Sequence, residues 1–410
     1  MLTRRTMLKN LLLAGGYCLL PMGRRGWALA SPEATNQHLV VILMRGAVDG
    51  LSIVTPYREP NYYARRPSIA LGGPGQTDGV LDLDGFFGLN PSLASLMPLW
   101  QSRSLAFVQA SGSPAETRSH FEAQDIMETA MLNSAMATQG WMNGLAQLLP
   151  DNHSPTRALS FGNTLPKIFQ GRYDVSTVPN GIHSNGGKRV GDPQVEQEFA
   201  QMYGAQSQLG ALYKQALSAR ASEMQDLEDE MTNANKGAPT TDAFVAQSMK
   251  AGDMIRRDPH IQLVFMDVGG WDTHVGQGNA KGQLANKLSK LGDGLVELAQ
   301  SLGPEYANTT ILVMSEFGRT VAQNGNGGTD HGHGNVAWVM GGNVRGGKVY
   351  GRWPGLAPNQ LWEGRDVAVT TDFRSIIGAV VGGQFGVEGE RLAQIIPGYR
   401  PDSELSGLIA

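Results

Sequence analysis

Five apolar runs most constrain what this chain can fold into: His38–Met44 (HLVVILM), Leu105–Gln109 (LAFVQ), Ile261–Met266 (IQLVFM), Thr309–Met314 (TTILVM) and Val336–Met340 (VAWVM). None shows the strict apolar–polar alternation of a half-exposed strand, so they suit strands buried on both faces, as in a parallel sheet. Between the third and fourth runs, Leu284, Leu288, Leu291, Leu295, Leu298 and Leu302 step by four and three. That spacing draws one apolar stripe along a helix. Strand–helix–strand units predict a doubly wound α/β architecture, a mainly parallel sheet sandwiched by helices, with its sites at the carboxyl ends of the strands. After the second run, Ser113-Pro114-Ala115-Glu116 reads as a helix start, with serine as cap and proline in the first turn.

The chain's beginning reads as an address and not as part of the fold. Thr3–Lys9 (TRRTMLK) is a twin-arginine pattern, followed by an apolar run from Leu11 to Leu20 and then Ala28-Leu29-Ala30. A basic start, a short apolar stretch and a small-x-small site make a removable export signal, residues 1–30, with cleavage expected after Ala30. The apolar run is short for a bilayer, which needs about 20 such residues. The expected location is therefore periplasmic or secreted, and the twin-arginine translocase is the partner expected during export.

Removing that segment takes five of the 33 basic residues and none of the 37 acids, leaving a net charge of −9. Without a Lys/Arg cluster, such a chain is a poor candidate for nucleic acid. Cys18 is the only cysteine and leaves with the signal, so neither disulfides nor thiol chemistry are expected in the mature protein. Residues 31–410 are expected to form one large α/β domain. A polar stretch, Glu196–Met231, and a second helix, Asp242–Arg257, read together as a helical excursion over about residues 190–257.

Acids and histidines gather where the apolar runs end. Asp267-Val268-Gly269-Gly270-Trp271-Asp272-Thr273-His274 follows one, Ser315-Glu316-Phe317-Gly318-Arg319-Thr320 another, and Thr329–Asn335 (TDHGHGN) precedes the last. Asp272 with His274, His331 and His333 makes a ligand set suited to Zn²⁺, Mn²⁺ or Fe, and the interspersed glycines let adjacent side chains converge. Glu316 is a further ligand, a general base, or the partner of Arg319 in a salt bridge. Asp49 and Arg45, after the first run, present the same choice, and Arg45 can instead clamp an anion bidentately. The segment Thr117-Arg118-Ser119-His120-Phe121-Glu122 offers a nucleophile at a helix start, Ser119 ahead of Thr117, where free N–H groups favour an anion. The plainer reading of Ser119-x-x-Glu122 is a capping box. No G-x-S-x-G elbow occurs, which argues against a Ser-His-Asp hydrolase.

The order of these motifs resembles one family. The exported start, His38–Leu51 (HLVVILMRGAVDGL), Thr117–Thr129 (TRSHFEAQDIMET), Gly270–His274, Ser315–Thr320 and Thr370–Arg374 (TTDFR) together are similar to a large family of twin-arginine-exported bacterial proteins known as a domain of unknown function. That family in turn resembles the alkaline phosphatase–sulfatase superfamily, which implies an alkaline phosphatase-like fold and hydrolysis of phosphate or sulfate esters at a metal centre. On that resemblance Asp272 and His274 stand for its Asp–His pair, and His331 or His333 for its late histidine. Ser119 or Thr117 stands for its nucleophile, and Asp49 for its first aspartate, with Arg45 nearer the expected place. Phe317 stands where the superfamily carries a histidine, which implies one divalent ion, Zn or Mn, rather than two. The formylglycine motif of sulfatases, Cys-x-Pro-x-Arg, does not occur.

The function expected is thus an exported metal-dependent hydrolase acting on a small anionic ester. Ser119, Thr117 or metal-activated water would attack, with Arg118 beside them, and Arg45 or Arg319 would bind the remaining oxyanions. The rival is an exported binding or assembly protein on the same fold that has lost catalysis.

Overall fold

The computed structural model describes residues 36–150, 154, 156–179 and 232–410. The export signal expected at 1–30 and the helices expected over Glu196–Met231 lie outside the described residues. In chain order the first strands are β1 (His38–Met44), β2 (Val54–Thr55), β3 (Leu81–Asp82), β4 (Gly88–Leu89), β5 (Leu105–Gly112) and β6 (Ala158–Phe161). They are followed by β7 (Ser176–Val178), β8 (Leu263–Val268), β9 (Thr309–Ser315), β10 (Asn335–Gly341), β11 (Lys348–Tyr350) and β12 (Thr371–Asp372). Among the described residues, nine of them form one sheet in the order β11-β5-β10-β9-β1-β8-β6-β7, with β12 also on β5; β2, β4 and β3 make a small second sheet.

All five apolar runs are strands of the large sheet, and β1 shows why they do not alternate. Leu39, Val41 and Leu43 enter one core with Trp141, Met142, Phe373 and Ile376 from helices Trp141–Leu148 and Phe373–Phe385. Val40, Ile42 and Met44 enter the other, against the leucine stripe of helix Gln283–Leu302 and Phe244 and Ile255 of helix Thr241–Arg257. Side chains point alternately to the two faces, so both registers of the strand must be apolar. The sheet is mixed and mostly parallel, with helices on both faces. Helix Thr241–Arg257, expected as the end of an excursion, is one of the packed layers. No helix of the described residues is long and apolar enough to cross a membrane.

Direction within the sheet decides where the clusters meet. β9, β1, β8, β6 and β7 run parallel, and β5 and β11 run the same way, because β10 lies antiparallel to both β9 and β5. One edge therefore collects the carboxyl ends of β1, β5, β8 and β9 together with the amino end of β10. Residues after β8 and β9 and residues before β10 reach the same place, which is how Asp272, Arg319 and His331 can meet. One local expectation fails: the helix after β5 begins at His120 with Ser119 as its cap residue, not at Ser113. The Ser113 hydroxyl accepts instead from the Ala115 N–H at 3.1 Å, closing a tight local turn.

Candidate metal centre

Three loops and a helix start build the site. Past β8 the chain turns at Gly269 and Gly270, and Trp271 is buried with its indole N–H on the Val268 carbonyl at 2.9 Å. This presents Asp272 and His274. The segment after β9 pairs with the segment before β10, with Thr320 N on Asp330 O at 2.9 Å, Gly332 N on Gly318 O at 2.8 Å and Gly318 N on His333 O at 2.9 Å. Arg319 and His331 stand opposite one another in that ribbon. Gly46 closes the floor at φ +110°, a conformation that suits glycine, and a Cβ there would lie 2.9 Å from the Asp272 nitrogen.

Around Asp272 three imidazoles converge. His331 Nε2 lies 2.9 Å from His120 Nε2 and 3.1 Å from His274 Nε2. Asp272 Oδ1 lies 3.0 Å from His274 Nε2 and 3.4 Å from His331 Nε2, and Oδ2 lies 3.6 Å from His120 Nε2. Ligands held at roughly 2.0–2.1 Å around a tetrahedral zinc ion are about 3.3 Å from one another. These separations bracket that value, and His120, His331 and Asp272 are the group whose ligand atoms all lie mutually close.

With all three rings neutral, the protein groups leave the arrangement unresolved. His120 Nδ1 faces Glu316 Oε1 at 2.9 Å and His274 Nδ1 faces Asp330 Oδ1 at 3.3 Å, so in both neutral rings Nδ1 is the donor and Nε2 keeps its lone pair. Those lone pairs then point at one another and at a carboxylate, with only Arg319 Nη1, 3.4 Å from His274 Nε2, as a donor among them. Asp272 Oδ2 is buried with no hydrogen-bond partner, and a buried charged acceptor left unpaired costs more than the roughly 1–3 kcal/mol of a neutral one. A cation resolves both problems. The mutually close donor set, two imidazoles and a carboxylate with a third imidazole alongside, suits Zn, Mn or Fe.

Without a metal ion, a proton meets part of the same need. Burial opposes a charge on His120, yet Asp272 and Glu316 push its pKa up to about 9. Burial likewise opposes a charge on His274, which Asp272 and Asp330 nonetheless raise. His331 moves down, through burial and the Arg319 and His120 charges: adjoining imidazoles cannot all take a proton. Burial works against ionised Asp272, but hydrogen bonds from the three histidines and the Arg319 charge hold it far below the usual carboxylate range.

The remaining residues singled out in the sequence fall into place around this cluster. Glu316 sits one layer out: against the burial that opposes its charge, His120, Gln124 and backbone contacts hold it at about 2. Its Oε1 also accepts from Gly46 N at 2.7 Å and Gln124 Nε2 at 2.9 Å. Arg319 is buried and donates to Ala47 O at 2.6 Å, Gly46 O at 2.8 Å, Thr329 O at 2.9 Å and Asp272 Oδ1. It fixes the carboxylate and has no free face for an oxyanion. Arg45 is engaged through Nε by Asp267 at 2.7 Å and through Nη1 by Gln124 at 2.7 Å and Glu128 at 2.9 Å. Asp49 lies apart in a buried pair with Arg66, at 2.6 and 3.0 Å. His333, two residues from His331, instead stacks on Trp362 with ring centroids 5.2 Å apart.

The hydroxyls stand outside the cluster. Thr117 Oγ1 donates to Glu122 at 2.7 Å, and Ser119 is exposed and makes no cap hydrogen bond, so the capping box does not form. Arg118 is held by Glu363 at 2.6 Å and Asp366 at 2.9 Å. The residue next to Ser119, His120, is the one that turns inward, and sequence reasoning passed over it. Its signal was a histidine at the first position of a helix that follows a doubly buried strand. Phe317 closes one side, its ring 4.9 Å from that of His120 and 5.2 Å from that of His331.

No curated protein matches the chain. Among solved structures it is similar to Ps i-CgsB in complex with k-i-k-neocarrahexaose, at 12% identity, 88% of this chain and 74% of that one, with a TM-score of 0.44. It is similar also to a protein in the alkaline phosphatase superfamily from Vibrio parahaemolyticus, at 9% identity, 77% of this chain and 63% of that one, TM-score 0.38. A third is the C-terminal periplasmic domain of EcEptC from Escherichia coli in complex with Zn, at 11% identity, 74% of this chain and 72% of that one, TM-score 0.34. The family model described as "Protein of unknown function (DUF1501)" matches residues 90–396, well over half of the sequence, and the chain belongs to that family.

Proposed function

We propose that the protein is an exported, mononuclear metal-dependent hydrolase of small phosphate or sulfate esters, loaded with Zn or Mn and delivered by the twin-arginine translocase to the periplasm or beyond. The observation that carries this reading is the convergence of His120, His274, His331 and Asp272 from separate segments at the carboxyl edge of the sheet, with donor separations of 2.9–3.6 Å. His120, His331 and Asp272 would hold the ion, with His274 beside them. Bound there, it would supply Lewis acidity, polarising the ester and lowering the pKa of a water. Glu316 and Asp330 orient the imidazoles of His120 and His274, Arg319 fixes Asp272, and Phe317 keeps water from one flank. Phe317 offers no donor on that flank, which supports one ion over two.

Because neither Ser119 nor Thr117 contacts the cluster, water is the attacking group we favour. A suitable anion contact is Arg365, which is exposed, bonds Asp366 at 2.9 Å and donates to the His331 carbonyl beside the site. The rival binding-protein reading draws on the same cluster, which would hold an ion whether or not catalysis follows. Assays of the metal-loaded protein on phosphomonoesters, phosphodiesters and sulfate esters divide the two. Turnover lost in Asp272→Asn but kept in Ser119→Ala and Thr117→Ala supports hydrolysis by water. Retained metal with no turnover on any ester supports the binding protein.

A further inference from the structure

A second built feature lies at the same edge, on the other side of helix His120–Thr129. A cavity of about 270 Å³ opens at the ends of β6 and β8, and its charged lining is Arg45, Asp125, Glu128, Lys167, Lys236 and Asp267. Ligand pockets usually measure about 300–1,000 Å³, so the occupant is small.

Its charges cancel in sum but not in place. At the mouth, Lys167 and Lys236 share one carboxylate, Asp125, at 2.8 and 3.0 Å, which leaves one positive charge over. These side chains are 26–31% exposed. On the floor Arg45, 3% exposed, is shared by two carboxylates, Glu128 and Asp267, at 2.9 and 2.7 Å, which leaves one negative charge over. Both oxygens of Glu128 are used, the second by Ile168 N at 2.9 Å. Asp267 is different: Arg45 engages only Oδ2, and the side chain keeps 13% of its surface exposed. Burial, despite Arg45, drives the Asp267 carboxyl above its ordinary pKa, as expected of a negative charge short of a partner.

We propose that this cavity is a binding site for a small zwitterion, whose ammonium group sits on Asp267 and whose acid group bridges Lys167 and Lys236. The ligand supplies at each end the charge the lining lacks. Neither a plain carboxylate nor a plain amine of the same length satisfies both ends, and each leaves one excess charge uncompensated. The site shares no residue with the metal cluster, so its occupancy is measurable whether or not the protein hydrolyses esters.

Isothermal titration calorimetry of the full protein with glycine, β-alanine and 4-aminobutyrate, against butyrate and propylamine, tests this. One member of the amino-acid ladder is expected to bind at least about tenfold more tightly than both single-charge controls, one charge-assisted contact apart. Lys236→Gln, an exposed change that leaves the core alone, should weaken that ligand about tenfold or more, and Asp267→Asn should do the same. Metal content should be unchanged in both variants. Equal binding of butyrate, equal binding of propylamine, no binding by any member of the ladder, or zwitterion binding indifferent to both substitutions would each overturn the proposal.

Discussion

Asp49 and Asp272 are both buried carboxylates that follow parallel strands near one edge of the sheet, yet their surroundings differ in kind. Asp49 has one guanidinium, Arg66, in a bidentate pair, with Ser52 at 2.7 Å and Gln277 at 2.7 Å completing its shell. Asp272 has one guanidinium and three imidazoles, yet its Oδ2 makes no hydrogen bond, the nearest donor being His120 Nε2 at 3.6 Å. The first is a closed account in which the protein meets its own electrostatic needs. The second holds donors that conflict unless a cation stands between them. Burial and charge alone do not mark a site; an unresolved shell does.

The largest expected effect tests the closed half. Asp49→Ala leaves Arg66 buried and unpaired and should cost about 3–5 kcal/mol in chemical denaturation, while the folded fraction binds metal as the wild type does. Asp272→Asn should instead lower metal affinity by more than the roughly 10–100-fold typical of an outer-shell change, measured by competition with a chelator. Glu316→Gln, which disturbs the support of His120 without removing a ligand, should fall within that 10–100-fold range. If Asp49→Ala proved harmless and Asp272→Asn unfolded the protein, the contrast would be reversed.

Titration sharpens the comparison with opposite signs. Asp49 is held below its ordinary value, Arg66 outweighing the burial that opposes its charge. Its contribution to stability is present above the unfolded value of about 3.9 and is lost as pH falls through the folded one. His120, pushed up to about 9 in the metal-free protein, behaves the other way. Its protonated form stabilises below about pH 6.5, and that contribution is lost as pH rises through about 9. Since a metal must displace that proton, metal affinity should climb from neutral pH and flatten above about 9. A flat profile would mean His120 is not a ligand. Smallest of all, Ser119→Ala should change stability by less than about 0.5 kcal/mol, because its exposed hydroxyl makes no cap bond.

Much of the sheet was legible because a strand buried on both faces carries apolar residues in both registers, and the leucine stripe admits one helical face. The gathering of Asp272, His274 and His331 was legible for a topological reason, since all three flank strands that end or begin at one edge. What separates His331 from His333 is not local: they flank one glycine, Gly332, and the pairing opposite Arg319 and the stack on Trp362 tell them apart. Arg45, Arg319 and Asp49 looked available in sequence because their partners, among them Glu128, the Ala47 carbonyl and Arg66, are supplied by tertiary packing. His120 was hidden by its neighbours, whose hydroxyls and capping pattern offered a simpler story at the same helix start.

The central claim is that the Asp272 cluster is a site for one divalent ion. Elemental analysis of the purified protein after loading with Zn or Mn and removal of free metal tests it most directly. The account predicts one ion per chain in the wild type and in Asp267→Asn, and loss of that ion in Asp272→Asn and His331→Ala while both remain folded. A folded wild type that retains no metal, or a His331→Ala protein that retains it fully, would contradict it.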